Sequence, residues 1–250
     1  GTETGCTTSL FPSDDVTRAF LAAQGREADW QRLEADPDAV YAGVIDINLS
    51  EVEPMVALPH SPGRVVTVRE AGEIPVQQVA IGSCTNSSLR DLKVVAAALK
   101  DRTISPDLHV ILGPGSRQVV EHLVASGEFN HLVRAGVRIA ENACGACIGM
   151  GAAPSSGANS VRTFNRNFEG RSGTKDANVF LVSPETAVAT ALTGKLTDPR
   201  TLGEAPQINM PSTFLINDNL IIPPFPVEEA REVEIQIGRA SCRERVYHPV

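Results

Sequence analysis

From about Val65 onward the chain repeats one pattern: a short apolar run, a loop rich in glycine and serine, then a helix-forming stretch. Val79 to Ile81 leads into GSCTNSS and the helical LRDLKVVAAALK, with Ser87 or Ser88 placed to cap it. Leu108 to Leu112 leads into GPGS and RQVVEHLVASG. Val137 to Ala140 leads into ENACGACIGMG. Val179 to Val182 is followed by Ser183 as cap, Pro184 at the first helical position and Gly194 as stop. Continuous apolar strands that alternate with helices are buried on both faces, which predicts an α/β fold with a mainly parallel sheet flanked by helices. In such sheets a site forms beyond the carboxyl ends of the strands. GSCTNSS and ENACGAC both fall there.

Upstream, TTSLFPSDDVTRAFLAAQG predicts a helix capped by Ser13 or Asp14 and stopped by Gly25. VYAGVIDINLSEVEPMVALPHSPGR then alternates apolar and polar residues until prolines break it. The expected organisation is residues 1–43 as the end of a preceding α/β domain, 44–205 as the main α/β domain, and 206–236 as a proline-rich linker. The chain begins with Gly1 inside a motif, so it reads as a fragment. Residues 237–250 open with IGRASCRERV, an arginine-rich run unlike the rest, which matches the translation of a common sequencing adapter; they are expected to be non-native read-through. Continuous coding sequence through this point on resequencing would show a natural basic tail instead.

Composition narrows the function. The formal net charge is −8 and no basic run occurs before residue 237, which argues against a nucleic-acid surface; an anionic substrate would need a few specific arginines. No apolar stretch of about 18 residues and no leader-like start is present, so no membrane partner is expected and the setting is read as cytoplasmic. Aromatic residues make up 4%, so the core must rest on Ala, Val, Leu and Ile.

Without a secretory signal, Cys6, Cys84, Cys144 and Cys147 are expected as reduced thiols (Cys242 lies in the read-through). Cys144 and Cys147 form a CxxC, and Cys84 occupies an equivalent strand-end loop. A redox dithiol would not need Cys84. Structural zinc would want a fourth ligand, for which His109, His122 and His131 qualify only by number. Three thiolates alone suit a [4Fe–4S] cluster with one iron left open as a Lewis acid. Unconnected thiols are the remaining reading. Arg166 and Arg171 flank Gly170 in NRNFEGR and could grip two carboxylates, or simply form ion pairs in a solvated loop.

Together IGSCTNSS, ACGACIG, FNRNFEGR and the opening GTETGCTTSLFPSD resemble the aconitase family in order and approximate spacing, over nearly all of residues 1–236. The resemblance implies an aconitase-like domain 3 with the end of the preceding domain. It gives Cys84, Cys144 and Cys147 to the [4Fe–4S] cluster, Arg166 and Arg171 to substrate carboxylates, and Asn86 and Asn165 to the cluster and substrate. Glu3 takes the role of an active-site carboxylate, against the plainer reading of an exposed acid near a chain end. Cys6 is expected to be packing. The implied reaction is the tricarboxylic acid cycle interconversion of citrate and isocitrate through cis-aconitate. Its serine base would lie in a swivelling domain or small subunit outside this chain, so the fragment alone is expected to be inactive. The alternatives are 3-isopropylmalate or homoaconitate isomerisation and, in other classes, a cluster-free RNA-binding domain or a zinc-stapled structural domain. The small residues in ACGACIGMG tip the reading towards aconitase.

Overall fold

The structure is a computed structural model that describes residues 5–82, 84–224 and 226. Glu3 and the arginine-rich end, 237–250, lie outside the described residues. The chain forms two compact units, Gly1–Ile216 and Asn217–Val250. Within the described part of the second, the Ile221 N–H donates to the Asp218 carbonyl at 2.9 Å. Everything else belongs to the first unit.

Seven strands build one sheet: β1 (Met55–Ala57), β2 (Val65–Thr67), β3 (Gln78–Gly82), β4 (His109–Gly113), β5 (Arg138–Ile139), β6 (Asn159–Arg162) and β7 (Asn178–Leu181). Their order is β2-β1-β7-β6-β3-β4-β5. The five strands from β7 to β5 are parallel, and β1 joins antiparallel to β7 and β2. The expected α/β class is therefore correct, with an antiparallel edge. The runs at 79–81, 108–112, 137–140 and 179–182 are β3, β4, β5 and β7. β6, central in the sheet, was not foreseen.

Helices α1 (Asp15–Ala23), α3 (Leu89–Leu99), α4 (Arg117–Ala125) and α6 (Pro184–Thr193) fall where their local signals place them, while α2 (Val68–Ala71) and the side-chain-uncapped α5 (Phe129–Arg134) were not foreseen. Asp14, Ser88, Ser116 and Ser183 each accept a hydrogen bond from a first-turn amide, satisfying donors the helix itself cannot pair. At α3 the reciprocal bond from the Ser88 amide to the Asp91 carboxylate completes a capping box. The acidic caps also sit where the helix dipole favours negative charge, and Asp14 is held below the usual carboxylate range first by the Thr17 amide.

Strand alternation divides the core. Val79, Ile81, Val110, Leu112, Val161 and Phe180 face a large aliphatic core with Leu92, Val95 and Leu99 of α3 and Val188 of α6. Ala80 and Ile111 face a small second core with Phe164, Ala152 and Cys147. The first is closed by helices, the second by the loop that carries the CxxC.

The segment before β1 contributes nothing to either core: no described residue from 5 to 55 is buried. Cys6, expected to pack, is exposed, because no core reaches it. α1 is instead held at its end. Gln24 and Gln118 exchange amide hydrogen bonds at 3.2 and 2.9 Å, and the Phe214 amide donates to the Ala23 carbonyl at 2.8 Å. Phe214 stands edge-on to Phe20 and to His122, and the Leu215 amide donates to His122 Nε2 at 2.9 Å. The proline-rich segment thus returns over α4 before residue 217.

Candidate metal centre

The three cysteine-bearing and arginine-bearing loops meet at the carboxyl ends of β3, β4, β5 and β6. Two close backbone approaches bring them together. A side chain on Gly82 (φ +136°) would put Cβ 2.2 Å from the Gly113 carbonyl oxygen, so β3 and β4 end in contact. A Cβ on Gly149 (φ +86°) would fall 2.2 Å from the Ser172 carbonyl oxygen, so the CxxC loop lies against the loop after NRNFEGR. Only glycine permits either approach without displacing backbone.

Cys84 is exposed just past β3, its Sγ 3.6 Å from Thr85 Oγ1. Two residues on, the Asn86 side-chain amide donates to the Thr163 carbonyl at 2.6 Å, and Ser87 Oγ donates to the Gly113 carbonyl at 2.7 Å. Asn165 Nδ2 donates to Thr85 Oγ1 at 2.8 Å. Asn86 and Asn165 therefore stitch the loop after β3 to the loop after β6.

Cys144 is exposed at the start of a 3-10 turn over Gly145–Ile148, and Cys147 is buried within it. Burial pushes the Cys147 thiol up; Arg171 opposes this, while Cys144 and Cys84 push further, Cys144 also by hydrogen bond. Arg171 donates from Nη1 to the Cys147 carbonyl at 3.4 Å and lies with Nη2 3.5 Å from its Sγ. Arg166 is half-buried in the same loop. Between them the fully buried Asn167 donates to the Leu58 and Val179 carbonyls at 2.8 and 3.0 Å, which fixes the loop to β7. Sequence reasoning assigned Asn167 no role, since it sits unmarked between two arginines.

A second residue that sequence reasoning missed is Arg162, on β6. It is wholly buried, and burial pulls its guanidinium down to about 10, with Cys147 opposing. Its sequence signal is an arginine two residues before a buried phenylalanine, which reads equally as a surface strand.

Among the described residues no group of three or more His, Cys, Asp or Glu side chains could hold a metal ion. His109, His122 and His131 stand on β4, α4 and α5, and His122 spends its Nε2 on the Leu215 amide. A cavity of about 460 Å³ adjoins Cys84, lined also by Thr85, Ser87, Ser116, Phe20 and Phe214. A separate one of about 530 Å³, between α3, α6 and residues 199–206, includes none of the cysteines. No helix among the described residues is long and apolar enough to cross a membrane.

Residues 1–73 and 69–194 match the Aconitase family (aconitate hydratase). The 3-isopropylmalate dehydratase large subunit 1 of Thermotoga maritima is 43% identical over 202 residues, 79% of this chain and 48% of the relative. The corresponding large subunits of Lachnoclostridium phytofermentans and Archaeoglobus fulgidus are each 39% identical, covering 80% and 79% of this chain and 48% of themselves. The chain spans about half the length of the curated relatives it matches. It belongs to the aconitase family.

Proposed function

We propose that this chain is the cluster-bearing portion of a hydro-lyase that dehydrates and rehydrates a hydroxy-carboxylate, with 3-isopropylmalate as the favoured substrate. The observation that carries this reading is the meeting of the Cys84 loop, the CxxC loop and the NRNFEGR loop at one end of the sheet, with Arg171 Nη2 3.5 Å from Cys147 Sγ.

The donor set suits a [4Fe–4S] cluster. A cluster takes each thiolate at a different iron and can leave one iron open, which matches three cysteines without a fourth protein ligand. Cys84, Cys144 and Cys147 would hold it, and when bound it supplies a Lewis-acidic iron for the substrate oxygens. The protein's own groups do the rest. Arg166 and Arg171 bind and orient substrate carboxylates by paired hydrogen bonds. Asn86 and Asn165 keep the loops after β3 and β6 in register. Glu3, outside the described residues, keeps its proposed place as a supporting carboxylate.

The relatives named above are 3-isopropylmalate dehydratase large subunits, which favours that substrate over the citrate–isocitrate interconversion first expected and draws the reading away from the tricarboxylic acid cycle. The words "large subunit" support a separate small subunit that completes the site. The aconitate hydratase reading keeps one support, the description of the matching family.

Anaerobic reconstitution tests the cluster: about four irons and four sulfides per chain are expected, and zinc uptake by a folded chain that refuses iron would sink the reading. Substrate class follows from the electron paramagnetic resonance signal of the reduced cluster. A perturbation by 3-isopropylmalate but not citrate is expected; the reverse would return the assignment to aconitase.

A further inference from the structure

The side chain most deeply buried for its size is one the proposed chemistry does not use. Arg162 has no exposed surface. Its Nη1 donates to the Ala146 carbonyl and Nη2 to the Ala152 carbonyl, each at 2.6 Å. Nη2 also donates to Gln78 Oε1 at 2.7 Å, and Nε to Ser160 Oγ at 2.9 Å. Ser160 in turn donates to the same Gln78 oxygen at 2.8 Å, and Gln78 Nε2 returns a bond to the Ala152 carbonyl at 3.2 Å. The guanidinium carbon lies 5.5 Å from the centre of the Phe164 ring.

Every acceptor in this network is neutral. A buried cation is tolerated when an anion accompanies it, and lone buried charges are strongly disfavoured. Among the described residues no carboxylate pairs with Arg162. The ionisable neighbour is Cys147, one residue past the carbonyl that Nη1 grips and part of the same small core. Cys147 thus has Arg171 Nη2 3.5 Å from its Sγ, and the residue before it has its carbonyl held by Arg162.

Resting on the cluster reading above, we infer that Arg162 is a positioning residue for the iron–sulfur centre. It clamps both ends of the 146–152 loop to β3 and β6, and it is the buried positive charge that answers the anionic thiolate–cluster assembly. Its planar fork serves acceptors on two loop carbonyls and two strand side chains at once, a geometry that an ammonium on a flexible stem does not reproduce.

The test compares the full chain with Arg162→Lys, which keeps the charge, and Arg162→Met, which removes charge and fork together. In the metal-free proteins, amide hydrogen exchange across 144–152 should rise at least tenfold in both variants, while α3 keeps its protection. After anaerobic reconstitution, Arg162→Met should lose most of its iron on gel filtration with a chelator. Arg162→Lys should retain more, and its cluster should be easier to reduce. Unchanged loop exchange in both variants overturns the clamp, and equal reducibility overturns the charge. If Arg162→Met also loses α3 protection, Gln78→Ala and Arg162→Lys decide, since normal 144–152 exchange in these would overturn the proposal. A wild-type chain that takes up no iron defeats the cluster reading instead, and the metal-free exchange still judges the clamp.

Discussion

The two faces of the sheet are made from the same strands and do opposite things. On the helix-covered face, Val79, Ile81, Val110, Leu112 and Val161 pack against α3 and α6 with no polar group among them. On the other, in strict register, Ile111 neighbours Ala80 and Ala80 neighbours Arg162, with Gln78 and Ser160 one step before. The first face is stabilised by area removed from water, roughly 1.5–3 kcal/mol for each fully buried aliphatic side chain. The second gives up some of that area for small side chains, a buried guanidinium and a hydrogen-bonded loop. Packing errors on the first face cost stability; errors on the second should cost geometry at the cysteines. The strands do not choose between a core and a site, because their two-residue period lets them carry both.

The comparison can be broken most severely at the thiols. Replacing Cys84, Cys144 or Cys147 by serine should abolish stable iron and sulfide uptake under the proposed function. Circular dichroism and the denaturation midpoint should stay close to those of the metal-free parent, because two of the three thiols are exposed. Leu112→Ala, on the opposite face, should do the reverse. It should lose about 2–5 kcal/mol in urea unfolding, while the remaining folded chain binds iron normally. Gly149→Ala falls between them. Its methyl group would collide with the Ser172 carbonyl, so about 1–3 kcal/mol of strain is expected, together with reduced iron retention as the CxxC loop shifts from Arg171. Ser88→Ala removes an α3 cap and should cost about 1 kcal/mol, readable in the midpoint and silent in iron content.

The smallest effect concerns pH. Burial, and then Lys93, holds His122 below its ordinary value of 6.5, with Glu121 opposing. A histidine depressed in the folded state leaves the unfolded chain binding more protons as pH falls below 6.5. The stabilisation it contributes is therefore complete above 6.5 and declines below it. Because Nε2 must be unprotonated to accept from the Leu215 amide, the protection of that amide, corrected for the intrinsic exchange rate, should fall on acidification towards pH 5. Protection at β3 should not.

Much of this was legible in the residues. Strands buried by aliphatic side chains on at least one face announced themselves, and each of the four long helices near the site or the core carried its own cap. β6 escaped because NSVR holds a single apolar side chain; its other inward face is Ser160 and Arg162, whose burial becomes sensible only beside Gln78 and the loop carbonyls. Spacing and motif single out the cysteines and the arginine pair in the sequence, and the structure brings their loops to the same end of the sheet; their roles belong to the proposed function. Asn167 and Arg162 could not be singled out, because their partners are backbone carbonyls far away in sequence, and a carbonyl leaves no letter to read. The stretch before β1 looked amphipathic, yet Val40, Val44, Ile45 and Ile47 are exposed and meet no core.

The central place of β6 also sets an order of events. Its bonds to β3 join Gln78 to Ser160 across 82 residues, and closing so long a loop is paid in chain entropy before any packing repays it. β3 and β4, joined through α3, can pair much earlier. Cys84 is then in place while the chain that bears Cys144 and Cys147 still swings between β5 and an unplaced β6. Under the proposed function the three cysteine loops come together only when that last seam zips, so metal loading should follow folding of the sheet rather than nucleate it.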